Sequence, residues 1–112
     1  MIHVYLDDAR RCPQGFVLAR NVTECILLLD SSEVDILSLD YDLGWDQPSG
    51  GEVARWIVSA GKFPREIYLH TSSNIGRIKM YEMLYAAKPE GVKVHNGPMP
   101  DELIVQIAQK DT

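Results

Sequence analysis

The sequence predicts a single α/β domain over residues 1–112, with a five-stranded parallel sheet in the order 2-1-3-4-5 and helices on both faces. Short apolar runs alternate with amphipathic stretches along the chain, which is typical of successive βα units. Right-handed crossovers then restrict the order in which such strands can pair. The 112 residues are 46% hydrophobic and 24% charged, so they can form one core but not two.

The first part of the chain predicts two strands and a helix. Residues 2–6 form an apolar strand that ends at two aspartates, and residues 9–15, with a proline and a glycine, are typical of a loop. Residues 16–19 form a short second strand, so no helix fits between the first two strands. Asn21 and Glu24 have capping-box spacing at the start of a helix. The buried stripe of that helix is Val22, Cys25, Ile26 and Leu29.

The middle of the chain predicts a third strand and a second helix. Residues 34–39 are an apolar strand that ends in Asp-Tyr-Asp, and residues 43–49 form a loop. Ser49 and Glu52 make a second capping box. The helix that they begin runs to about residue 60, where Gly61 ends it.

The last part predicts two more strands and two more helices. Residues 66–70 form strand four, residues 74–87 a helix, and residues 92–95 strand five. Pro100 suits the first turn of a final helix, since its missing N–H is not needed there. The apolar face of that helix is Leu103, Ile104 and Ile107.

Acidic residues follow strands one and three. Asp7 and Asp8 come after the first strand, and Asp40 and Asp42 follow the third. Carboxyl ends of adjacent parallel strands meet at the edge where open α/β sheets bind ligands. Two like charges 4 Å apart repel by about 4 kcal/mol at an effective dielectric near 20, so such carboxylates need a cation or raised pKa values. Oxygen ligands suit Mg²⁺, Mn²⁺ or Ca²⁺ rather than zinc, whereas the alternative is that aspartates simply favour strand ends.

A second group of polar side chains follows strand four. Its members are His70, Thr71, Ser72, Ser73, Asn74 and, one turn into the helix, Arg77. Hydroxyl groups and backbone N–H groups at a helix amino terminus suit a phosphate, and Arg77 can add a charge-assisted contact. Alternatively, Ser72 or Ser73 is an ordinary N-cap.

The histidines allow more than one interpretation. His70 suits a general acid or base because its ordinary pKa is near neutrality, but a buried, hydrogen-bonded structural histidine is the alternative. His3, inside strand one, is expected to be structural. His95 lies at the end of strand five, where the sequence identifies no partner for it.

The acidic charge balance limits the classes of partner. The formal net charge is −5, with no basic run longer than Arg10-Arg11, so general DNA binding is not expected. A nucleotide or RNA end bound at a local site is compatible with this charge. The two cysteines have neither metal-ligand nor disulfide spacing, and no apolar segment is long enough to cross a membrane. We therefore expect a cytoplasmic protein with no membrane partner.

Three spaced motifs resemble a known family. They are Leu6-Asp7-Asp8-x-Arg10, Leu39-Asp40-x-Asp42-Leu43-Gly44 and His70-Thr71-Ser72-x-Asn74-x-Gly76-Arg77-x-x-Met80. At these residues the chain resembles receiver domains of bacterial-type response regulators, most closely the cyclic-phosphate-processing receiver group. The resemblance implies a receiver-like, flavodoxin-like three-layer sandwich. The chain departs from ordinary receivers in two ways. It lacks the first helix, and it has Gly97-Pro98 where ordinary receivers have Lys-Pro after strand five.

The resemblance also implies a chemistry. Asp8 and Asp40 would bind Mg²⁺ directly, with Asp7 assisting, and Thr71 matches the receiver hydroxyl residue. The family name implies a Mg²⁺- or Mn²⁺-dependent phosphoester reaction on a small phosphorylated substrate or nucleic-acid end, with Asp40 as nucleophile or metal ligand and His70 as acid or base. The alternative is a degenerate receiver that binds a protein partner without turnover. That function requires an exposed apolar surface around strands four and five and the last helix.

Overall fold

The computed structural model describes residues 1–111 and contains one five-stranded parallel sheet in the order β2-β1-β3-β4-β5. The elements in chain order are β1 (Ile2–Leu6), β2 (Val17–Ala19), α1 (Val22–Ser31), β3 (Val34–Leu39), α2 (Gly50–Ala60), β4 (Glu66–Leu69), α3 (Asn74–Ala87), β5 (Lys93–Val94) and α4 (Asp101–Lys110). The strand order that the sequence predicts is therefore confirmed. The last residue of the predicted domain lies outside the described residues.

The two faces of the sheet are covered unequally. On one face, α1, α2 and α3 pack over alternate strand residues such as Leu6, Leu39 and Leu69, which are fully buried. On the other face, α4 and the segment before β2 pack over a smaller cluster that includes Tyr5 and Tyr68. Side chains alternate between the faces along each strand, so the polar residues that follow Leu6, Leu39 and Leu69 continue the phase of the second face.

The connection between β1 and β2 is a loop, as the sequence predicts. Residues 7–16 contain no helical turn of their own. Gly15 has a φ of +91°, and a β-carbon there would lie 2.8 Å from the Cγ2 atom of Ile107 in α4. The glycine thus permits both the backbone turn and the close contact with the last helix.

The helix starts agree largely with the sequence. Asn21 Oδ1 accepts a hydrogen bond from Glu24 N at 2.9 Å, although Glu24 Oε1 accepts from Arg20 N (2.8 Å) instead of completing the box with Asn21. Ser49 caps α2 through Gly51 N at 3.2 Å. The prediction for Pro100 is wrong by one position, because Pro100 has an extended backbone and precedes α4 as its N-cap.

No helix among residues 1–111 is both long and apolar enough to span a bilayer.

Candidate functional site

Strand register brings three polar residues together at the carboxyl edge of the sheet. Leu6 pairs with Leu39, and Leu39 pairs with Leu69. The ladder continues for one residue, since Asp40 N donates to Leu6 O at 3.1 Å and His70 N donates to Leu39 O at 3.0 Å. Asp7, Asp40 and His70 are consequently neighbours. Each offers a ligand atom, and these atoms all lie within 4.8 Å of one another.

His70 lies in the centre of this group and is 8% exposed. Its Nε2 atom is 2.9 Å from Asp7 Oδ2, and its Nδ1 atom is 2.6 Å from Ser38 Oγ. The imidazole stacks on the Tyr5 ring with a centroid distance of 4.3 Å. The guanidinium of Arg10 donates to the backbone carbonyl of His70. Every polar atom of the imidazole is therefore engaged by the protein.

The hydrogen bonds of Asp7 indicate the protonation states of its carboxylate and of the His70 imidazole. Asp7 Oδ1 accepts from Ala9 N at 2.9 Å and Arg10 N at 2.8 Å. Burial alone would raise the pKa of Asp7, but these two N–H groups and His70 outweigh it and lower the pKa. Burial lowers the pKa of His70 despite its acidic neighbours. We infer an ionised Asp7 that accepts from Nε2–H of a neutral His70, whose Nδ1 accepts from the Ser38 hydroxyl.

Asp40 has the opposite electrostatic character. Burial raises its pKa, and Asp7 adds to the rise, while the hydroxyl of Thr71 and the backbone N–H of Tyr41 partly oppose it by hydrogen bonding. Asp40 is 8% exposed and has no cationic ion-pair partner within 4.0 Å among the described residues. A buried carboxylate of this kind favours protonation or a bound cation.

The other two predicted metal ligands lie outside the buried group. Asp8 and Asp42 are both exposed. Asp8 Oδ2 lies 3.4 Å from the position that a β-carbon on Gly44 would occupy, so its side chain reaches the loop after β3. Asp42 Oδ1 accepts from Gly44 N at 3.4 Å. All four predicted aspartates are at the same edge, but two are buried and two face solvent.

The residues after β4 form the start of α3. Ser73 is the N-cap and accepts from Gly76 N at 3.1 Å, and Thr71 Oγ1 accepts from Ser73 N at 3.1 Å. Ser72 and Asn74 are exposed, and Thr71 is half-buried. Of the two serines that the sequence offers as N-cap, Ser73 is therefore the cap and Ser72 is not.

Arg77 is held in place by two amides. Its Nη2 atom donates to Asn74 Oδ1 and its Nη1 atom to Asn96 Oδ1, both at 2.5 Å. Within residues 1–111, no carboxylate lies within 4.0 Å of the guanidinium. Its position is fixed while its charge is left uncompensated.

Two of the three histidines do not enter the site. His3 packs beside Phe16, with ring centroids 5.3 Å apart. His95 stacks on Tyr68 at 4.1 Å, and its Nε2 has no hydrogen-bond partner among the described residues.

Sequence reasoning missed several residues that build the site. Ser38 looks like one polar residue inside an apolar strand, Tyr5 like a core residue, and Asn96 like part of a loop. Tyr41 was also missed. Its ring packs so closely on α3 that a β-carbon at Gly76 would lie 2.2 Å from it. This contact locks the residue after Asp40 against the start of α3. The sequence offered two signals: strand alternation for Ser38, and, for the contact of Tyr41, a glycine early in a helix at position 76.

The depressed pKa values of Asp7 and His70 predict how stability depends on pH. For both groups the unfolded chain takes up the proton first as pH falls, so their stabilising contributions, present above the unfolded pKa values, are lost with acidification. For His70 this loss begins below its ordinary pKa of 6.5. We expect the contribution of His70 to the free energy of unfolding to fall between about pH 7 and pH 5, while Asp40, whose pKa is raised, changes in the opposite sense.

Urea denaturation across this pH range measures the effect. His70→Gln, which cannot titrate, should flatten the slope near pH 6. An equal slope in wild type and His70→Gln would contradict the depressed pKa of His70.

The sequence that forms this site matches a known protein family. The family model described as the cyclic-phosphate processing receiver domain matches residues 2–86, well over half of the chain, and spans the strands and loops that carry Asp7, Asp40 and His70. No curated protein matches the chain.

Proposed function

This chain belongs to the cyclic-phosphate processing receiver domain family, and we propose that it hydrolyses cyclic phosphate ends of nucleotides or RNA with the help of a divalent cation. The observation that carries the proposal is the convergence of the buried Asp7 and Asp40 carboxylates beside His70, within 4.8 Å of one another. It lies at the edge where open parallel sheets bind their ligands.

The donor chemistry of this edge fits a hard divalent cation. The pKa of Asp40 is raised by burial and by Asp7, so a cation would relieve an existing electrostatic cost. Asp40 and Asp7 offer buried oxygen atoms, and the exposed Asp8 and Asp42 are proposed to supply the remaining ligands. Oxygen donors of this kind suit Mg²⁺ or Mn²⁺, either of which would polarise a phosphoryl oxygen of the substrate.

The phosphate side of the site is proposed to be the start of α3. Thr71, Ser72, Asn74 and Arg77 surround an amino terminus whose N–H groups favour an anion. The uncompensated charge of Arg77 supports this role, because the amides of Asn74 and Asn96 orient the guanidinium without neutralising it. In the proposed hydrolysis, the oxygen of water bonds to phosphorus and one ring P–O bond breaks. The departing sugar oxygen takes the proton that the water loses.

The geometry supports a positioning role for His70 over the acid–base role that the sequence suggested. A general acid or base needs a ring nitrogen directed at the reacting atoms. Both nitrogens of His70 instead face protein atoms, Asp7 Oδ2 and Ser38 Oγ. We therefore assign to His70 the orientation of the Asp7 carboxylate, and to Asp40 the direct contact with the cation.

Metal binding should appear as stabilisation. We expect saturating Mg²⁺ or Mn²⁺ to raise the melting temperature, because a ligand that binds only the native state stabilises it, by about 2.7 kcal/mol at a hundredfold excess over its Kd. Combining Asp8→Asn with Asp40→Asn should abolish the rise. Without metal, Asp40→Asn should stabilise the protein near neutral pH, since the raised pKa of Asp40 means that its ionised form is disfavoured by folding.

The matched control is Asp35→Asn, which changes a carboxylate in β3, toward the opposite end of the sheet from Asp40. This variant should keep the full metal response in the same thermal melts. If the melting temperature of the double variant still rises with the cation, the proposed metal site is ruled out.

The catalytic part of the proposal is tested by a hydrolysis screen. The purified protein would be incubated with Mg²⁺ or Mn²⁺ and 2′,3′-cyclic nucleotides or RNA ending in a cyclic phosphate, with phosphomonoester product measured. Binding without turnover would indicate the non-catalytic alternative. That alternative has little support in the fold, because Val105 is the one exposed large apolar side chain on the described part of α4.

A further inference from the structure

Trp45 is a side chain for which neither the fold nor the proposed chemistry provides a role. It is 93% exposed, the highest value among the exposed large apolar side chains of the described residues. Full exposure of an indole forgoes the stabilisation that burial of so large a ring supplies. The second tryptophan, Trp56 in α2, follows the usual pattern and packs partly buried against the core.

The loop that carries Trp45 lies against one of the aspartates at the carboxyl edge of the sheet. Gly44, directly before it, has a φ of +111° and lies against the carboxylate of Asp8. Gln47 N donates to Gly44 O at 3.4 Å, closing a turn around the tryptophan. Asp46 has a φ of +59°, a conformation that is uncommon for a residue with a side chain.

The end of the same loop is anchored to the strand that carries Asp40. Gly50 N donates to Tyr41 O at 2.7 Å. Both ends of the loop are therefore tied to the carboxyl edge of the sheet. Trp45 thus directly follows Gly44, which lies against Asp8, and the backbone has positive φ values on both sides of it.

We propose that Trp45 is the platform on which the nucleobase of the substrate stacks, so that the protein recognises a nucleotide and not an isolated cyclic phosphate. The inference rests on the proposed function and deepens it by naming the residue that recognises the base. Stacking of a base on an exposed aromatic ring is tolerant of sequence because every base has a π-face. The net charge of −5 agrees with binding of a single terminal nucleotide rather than a long polyanion.

A binding experiment that needs no turnover tests this role. The probes are 2′,3′-cyclic AMP and glycerol 1,2-cyclic phosphate, which has the same phosphate ring and no base, each titrated with Mn²⁺ present. The wild-type protein should bind the nucleotide more tightly. Trp45→Ala should weaken nucleotide binding roughly 10- to 100-fold, while Trp45→Phe, which keeps an aromatic face, should retain most of it.

Tyr85→Ala is the matched control. Tyr85 is an exposed aromatic residue in the last turn of α3 (52% exposed), and its loss should not change the Kd for the nucleotide. Tryptophan fluorescence gives a second readout, since stacking should quench the wild-type emission and the quenching should vanish in Trp45→Phe although binding persists.

The outcomes separate this inference from the proposed function. Base-dependent binding that is lost in Trp45→Ala supports the platform even where no hydrolysis is detected. Equal affinity for the two probes, an unchanged Kd in Trp45→Ala, or no nucleotide binding would overturn it. If the two probes bind equally well, or if the Kd is unchanged in Trp45→Ala, while both cyclic phosphates are hydrolysed, the platform is ruled out and the proposed hydrolysis is still supported.

Discussion

Gly50→Ala is expected to destabilise the domain by at least about 3 kcal/mol, enough to unfold a marginally stable protein. A β-carbon at Gly50 would lie 1.9 Å from the carbonyl oxygen of Asp40 and 3.2 Å from the Cα atom of Tyr41. These are backbone atoms, so no change of rotamer can relieve the clash. Since alanine is ordinarily favoured over glycine in helices by about 1 kcal/mol, the expected loss has the opposite sign to the helix propensity.

Gly51→Ala is the matched control for that substitution. Its β-carbon would lie 3.2 Å from Ser49 Oγ and 3.3 Å from the ring of Tyr41, both of which are side-chain atoms that can shift slightly. We expect its effect to stay within about 1 kcal/mol. Urea denaturation followed by circular dichroism measures both variants. Equal stability of the two would mean that α2 does not approach the backbone of Asp40 as closely as described.

His70→Ala is expected to have the second large effect, on stability and activity together. It removes a buried ring that stacks on Tyr5 and the hydrogen bonds that this ring makes with Asp7 Oδ2 and Ser38 Oγ, at a combined cost of about 3 kcal/mol. Turnover of a cyclic phosphate should fall by roughly 10²-fold, because Asp7 loses the hydrogen bond that orients it. Denaturation curves and initial rates at a temperature where the variant is folded measure the two effects.

His70→Gln distinguishes a positioning role from acid–base catalysis. The amide can still donate a hydrogen bond to Asp7, so it should restore most of the turnover if His70 only positions that carboxylate. It cannot exchange a proton near neutral pH, so a group that titrates during catalysis would not be replaced. Activity as low as that of His70→Ala, with loss of the pH dependence of kcat, would contradict the positioning role.

The fold could be predicted because its signals are local. The apolar run at residues 2–6 and the aspartates that follow it mark a strand and its end. Asn21, Ser49 and Ser73 are capping residues at the positions where helices begin. The predicted starts of β2, β5 and α4 each differ from the observed ones by one residue. At α4 the reason is that a proline suits both the cap and the first turn.

The candidate site could be predicted only in outline. Convergence of Asp7 and Asp40 follows from parallel strands that end at one edge. The hydrogen bond between Ser38 and His70 depends on the register of β3 against β4, which no local pattern encodes. The contact between Tyr41 and Gly76 likewise joins residues from separate elements. Burial of Asp7 with exposure of Asp8 depends on which face of the sheet each side chain continues, and the sequence shows only that the two are adjacent.

The thin cover of the second sheet face has a consequence for the site. α4 has one buried side chain, Ile107, in the cluster that includes Tyr5, and Tyr5 in turn stacks on His70. Detaching a helix that buries so little apolar area takes less free energy than global unfolding. Water would then reach the ring on which His70 rests. We therefore expect the order of the carboxyl edge to depend on a sub-global opening equilibrium of α4, which native-state hydrogen exchange of the α4 amides would measure, more than on the stability of the whole domain.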